Sequence, residues 1–119
     1  MSAEEVTQDE AVDCQFQLAG LSSWIDESNT HRDPEAVLWG RVAKLTEESG
    51  EAIAALIGLT GQNPRKGVTH TAEDVVAELL DVAITALGAV EHMTGNVGLA
   101  LPELCAKVAA VHTRAMSTL

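Results

Sequence analysis

The chain has 119 residues and a formal charge of −11, from 18 acidic against 7 basic side chains. That length fits one domain with a modest core, and small domains gain from association because they bury proportionally less surface. Acidity on this scale, with no basic patch to offset it, excludes a nucleic-acid polymer or an anionic membrane as partner.

Apolar residues make up 46%, mostly Ala, Val and Leu, whereas aromatics are 3%. That mix favours closely approaching helices over a β-sandwich, which recruits aromatic and β-branched side chains. The first segment, MSAEEVTQDEA, lacks the basic-then-apolar order of a signal peptide. Residues 1–10 are expected to be frayed, leaving 11–119 as a single domain.

A first helix is expected over about 10–27, with Val12, Phe16, Leu18 and Ala19 on a rough stripe. The segment ESNTHRD ends it. Asp33 then caps a second helix with Pro34 in its first turn, where the missing N–H costs nothing. That helix runs to about Leu59, before the loop GQNPRKGVTH. Thr71 opens a third helix, with Asp74 three positions on as an approximate capping box, and it runs to about Met93. A fourth starts between Val97 and Pro102 and ends near the C-terminus. No segment alternates like a strand, so the expected fold is all-α, a four-helix bundle.

The run LLDVAITALGAV is too short to cross a bilayer and contains Asp81. Cys14 and Cys105 lack metal-ligand spacing and are expected to be free thiols, which fits a cytoplasmic protein.

The third helix carries the chemistry. At about 100° per residue its Val, Leu, Ile and Ala side chains cover more than half the circumference. Asp74, Glu78, Asp81, Thr85 and His92 fall in a sector of about 60°. An ordinary solvated face is wider and mixes Lys and Arg among its acids. The second helix has a matching stripe of Lys44, Glu48, Glu51 and Ala55, bordering Leu38, Val42, Leu45, Ala52, Ile53 and Leu56. Glu48–Glu51 and Glu78–Asp81 are both i,i+3 pairs, so each helix presents two carboxylates side by side. Glu47 lies one position round. Gly50 should let a neighbour approach closely. With the stripes facing, four carboxylates would converge, and a cation shared among them would offset their repulsion. All-oxygen donors point to Mg²⁺, with Mn²⁺ as a substitute.

The pattern Glu47-Glu48-x-x-Glu51, then Glu78-x-x-Asp81 after residues 52–77, resembles the motif of the all-α nucleoside triphosphate pyrophosphohydrolases, the MazG-like group. The similarity extends through KLTEESGEA and EDVVAELLDVAITAL and covers residues 38–93. It implies hydrolysis of a nucleoside triphosphate between the α- and β-phosphates, giving a monophosphate and pyrophosphate. It also implies that Glu48, Glu51, Glu78 and Asp81 hold Mg²⁺ and that Glu47 orients or deprotonates the attacking water. Family members assemble with active sites near subunit contacts, so a homodimer or homotetramer is expected.

Lys44, Arg65 and Lys66 are candidates for the triphosphate oxygens, with Lys107 and Arg114 behind them. Trp24 and Trp39 are candidates to stack on a base, although a lone tryptophan is more often core or interface. His92 is expected to support or flank the site and not to ligate. The competing reading is a non-catalytic acidic helical module that pairs with a basic partner. It accounts for the charge but not for the narrow acidic sector. A redox-active carboxylate-bridged bundle would want Glu-x-x-His pairs, and the i+3 partners here are Glu51 and Asp81.

Overall fold

The computed structural model describes residues 5–118. Four helices account for most of them: α1 (Gln8–Ser28), α2 (Pro34–Thr60), α3 (Ala72–Thr94) and α4 (Ala100–Met116). No strand occurs among the described residues.

Local chemistry sets the helix starts. The Thr7 hydroxyl accepts from the Glu10 N–H, so α1 begins at Gln8, inside the segment read as frayed, while residues 1–4 lie outside the described residues. Asp33 caps α2 by accepting from the Ala36 N–H, with Pro34 behind it. Thr71 and Asp74 form a reciprocal capping box at 2.8 and 3.2 Å. Gly61 and Gly95 end α2 and α3 in the left-handed region, where a Cβ would be strained.

The helix α3 is the hub, with α2 packed along it, α1 across it and α4 at its C-terminal end. The α2–α3 pair is an antiparallel hairpin. Its register is fixed by Gly58 against His70, Glu48 against Glu78 and Asp81, and Arg41 against Gly88. Ala52 and Ala55 are buried on α2 and Ala89 on α3, and small side chains permit close approach.

Among the described residues the buried apolar side chains are few: Leu18, Ala19, Ala52, Ala55, Ala89 and Ala100. Larger ones stay open, with Leu79 at 55% and Leu80 at 58% exposure. The radius of gyration is 17.3 Å, against about 13–14 Å expected for a compact chain of this length. No helix among the described residues approaches Gly50, where a Cβ would meet nothing within 4 Å. Cys14 and Cys105 are free and exposed. No helix among the described residues is long and apolar enough to cross a membrane.

Candidate metal centre

Because α2 and α3 run antiparallel in that register, Glu48 comes opposite Glu78 and Asp81. One carboxylate oxygen from each lies within 4.8 Å of the other two. The Glu48 side chain is only 14% exposed, Glu78 is half-buried and Asp81 is open to solvent. The Glu78 Oε2 atom is buried with no hydrogen-bond partner. A buried carboxylate oxygen without a partner costs free energy, and three carboxylates this close repel. A hard divalent cation would satisfy both, so the donor set fits one.

The other predicted residues spread around this trio. Glu51 is exposed one turn further along α2 and stands outside the group whose oxygens meet. Glu47 is exposed and accepts a hydrogen bond from Lys44 Nζ at 3.0 Å. The same ammonium lies 3.7 Å from Glu48, so Lys44 is tied to the acids. Arg65 and Lys66 are exposed in the loop beyond Thr60, and α2 alone extends about 18 Å past Glu48. Lys107 and Arg114 are exposed on α4. Trp24 and Trp39 are exposed rather than core, at 65% and 70%.

Partial burial, and next the charge of Glu51, push the Glu48 carboxyl above its ordinary value; Asp81 and Glu47 add to this and Lys44 opposes it. Burial works against Lys44, but its hydrogen bond to Glu47 and the charges of Glu47, Glu48 and Glu51 hold its ammonium above the ordinary value, the Glu47 bond contributing most. A group whose folded-state pKa is raised favours the folded state when protonated, so this contribution fades as pH rises through Glu48's titration. Cation binding runs the other way because it needs the ionised carboxylate. Mn²⁺ affinity should therefore climb as pH rises through the range just above the ordinary glutamate value and level off beyond it. Calorimetric titration at a series of pH values measures this, and a flat profile would remove Glu48 from the ligand set.

A second polar cluster, absent from the sequence-based expectation, lies where α1 crosses α3. Arg41 is 9% exposed. It donates to Asp26 at 2.8 Å, to the Ser22 carbonyl and hydroxyl, and to the Gly88 carbonyl. His92 Nδ1 lies 2.8 Å from Asp26 Oδ2, and Asn96 donates to the same oxygen. His92 thus supports Asp26 and is not among the metal-cluster residues. Burial alone would push the Asp26 carboxyl up, but the Asn96 and His92 hydrogen bonds and the His92 and Arg41 charges outweigh it and hold it low. The available signal was Arg41 itself, a lone cation on the apolar face of α2 between Leu38 and Leu45.

Compared with protein-family models, with curated proteins and with solved structures, the chain matches none.

Proposed function

We propose that the protein is a Mg²⁺-dependent nucleoside triphosphate pyrophosphohydrolase. The observation that carries this reading is the convergence of Glu48, Glu78 and Asp81 across the α2–α3 hairpin, with the Glu78 Oε2 oxygen buried and unpartnered. The resemblance of the acidic pattern to the MazG-like group supplies the reaction class.

Glu48, Glu78 and Asp81 would hold the ion, and Glu51, on the same face of α2, would join by side-chain rotation. Bound there, Mg²⁺ would neutralise phosphate oxygens and lower the pKa of a coordinated water. Glu47, outside the trio and hydrogen-bonded to Lys44, would orient the attacking water and accept its proton. Water adds to the α-phosphorus, the bond from that phosphorus to the α,β-bridging oxygen breaks, and pyrophosphate leaves. Lys44, one turn from Glu48, would balance charge on the departing group. A panel of NTPs and dNTPs assayed with Mg²⁺ should release pyrophosphate and monophosphate. Orthophosphate with a diphosphate would overturn the assignment.

Self-association belongs to the same reading. Ile53, Leu79 and Leu80 are each more than half exposed, and each lies within two residues of Glu51, Glu78 or Asp81. Monomeric proteins rarely leave large apolar patches uncovered, and a radius of gyration above that of a compact chain of this length is consistent with such open faces. A second copy over this face would shield the acidic groove from bulk water. Light scattering at micromolar concentration should give at least twice the 12.5 kDa chain mass. A monomer with full activity would refute it.

A further inference from the structure

A cavity of about 480 Å³ opens between α1, α2 and α3, within the size range of small-molecule sites. Its walls are aliphatic, including Leu21, Val37 and Ile84, and neither tryptophan lines it. One wall follows α2 from Ala36 to Lys44, a run of about 12 Å. Lys44 therefore closes the end next to the acids, through its contacts with Glu47 and Glu48.

Arg32 and Asn29 line the cavity as well, and Arg32 precedes α2 while Lys44 lies within it. Asn29 Nδ2 donates to the Ile25 carbonyl at 2.7 Å, and Asn29 Oδ1 accepts from Arg32 Nε at 2.8 Å. That second bond, at the exposed mouth, holds the guanidinium by its inner nitrogen, and its terminal N–H fork has no hydrogen-bond partner among the described residues. The three cations lining the cavity differ in one respect. Arg41 is committed to Asp26 and Lys44 to Glu47 and Glu48, whereas no carboxylate among the described residues pairs with Arg32. A planar fork with two parallel donors matches a ligand edge with two adjacent acceptors. Guanine offers such an edge in O6 and N7, whereas adenine sets a donor beside its N7 acceptor.

We propose that this cavity receives the nucleoside half of the substrate and that Arg32, oriented by Asn29, selects guanine over adenine. The proposal deepens the reading above, which puts the phosphates at Glu48, Glu78 and Asp81, and assigns Arg32 as the specificity-determining residue. Gly40 leaves the space open, since a Cβ there would meet nothing within 4 Å. A larger side chain at that position would take up part of this space.

The test is binding of guanosine and adenosine monophosphates to the full chain without divalent metal, followed by titration calorimetry. Wild type should prefer the guanine nucleotide by about tenfold, within the range of one bidentate base contact. Arg32→Ala should bring the two within about twofold, chiefly by weakening the guanine nucleotide, and Arg32→Lys should not restore the preference, because an ammonium lacks the fork. Gly40→Leu should abolish binding of both while thermal melting stays cooperative. Equal affinities in wild type, or a preference that survives Arg32→Ala, would overturn the proposal. So would inorganic phosphate competing as well as the guanine nucleotide, which would make Arg32 a phosphate contact. No turnover is needed for this readout. A chain that hydrolyses nothing yet shows the preference sinks the catalytic reading and leaves the pocket, and hydrolysis with no base preference does the reverse.

Discussion

Glu48→Gln, Glu78→Gln and Asp81→Asn should each reduce pyrophosphate release by about a hundredfold or more, since even outer partners of metal ligands are worth about 10–100-fold. Glu51→Gln should follow them if its side chain swings in when the ion binds. The helices should persist in every case, because none of these carboxylates forms a cap or bonds to a backbone group. Without metal, each variant should melt at or above the wild-type temperature, as one like charge leaves a crowded groove. With Mg²⁺ at 100 times its dissociation constant, wild type should gain about 2.7 kcal/mol, or roughly 10 °C for a chain of this size. The variants should gain little. A wild-type melt unmoved by the cation, or variants strongly destabilised in its absence, would make the trio a structural feature of the hairpin.

The hairpin was legible in the sequence because each part of it is local. Thr71 with Asp74, and Asp33 with Pro34, announce helix starts within four residues. The acidic pairs announce their shared faces through i,i+3 spacing. Opposing them across the hairpin then needs only the antiparallel register that a short connection imposes. The Arg41 cluster was not legible in that way. Asp26 and His92 meet across sixty-six positions of chain, and nothing local in either helix states where α1 will cross α3. Glu91 makes the same point. It is completely buried, yet its neighbours Val90 and His92 suggest only an ordinary last turn. Its carboxylate accepts from the backbone N–H groups of Gly98 and Ala100 at 2.9 and 2.8 Å. It thereby supplies the start of α4 with the acceptor that Leu99, which makes no side-chain cap, cannot provide. The cavity follows from the same crossing. Its lining residues come from three helices and the α1–α2 connection, and only their assembly reveals that Arg32 and Lys44 share one space.

Arg41→Met should have the largest effect on stability of any single change outside the acidic groove, about 3–5 kcal/mol, the usual cost of removing one partner from a buried ion pair. Arg41 supplies donors to the Asp26 carboxylate, the Ser22 carbonyl and hydroxyl, and the Gly88 carbonyl. Methionine fills much of the volume and satisfies none of them. That loss is a large fraction of the 5–15 kcal/mol that holds a domain together. Asp26→Asn alone should cost less, because Asn96 and His92 can still reach an uncharged side chain, and the double variant should lose less than the sum of the two. The pH dependence has a definite sign. Asp26 is held below its ordinary value in the folded state, so its contribution is present above the unfolded-state value and lost as pH falls through the folded one. Acid should therefore destabilise wild type more steeply than Arg41→Met, in which the Arg41 part of that shift is gone. Urea unfolding at matched protein concentration and a series of pH values measures both effects. A cost below about 1 kcal/mol, typical of an exposed pair, would mean that water replaces Arg41 at this crossing, and α1 would then be held to α3 by Leu18, Ala19 and the contacts of Asp26 with His92 and Asn96.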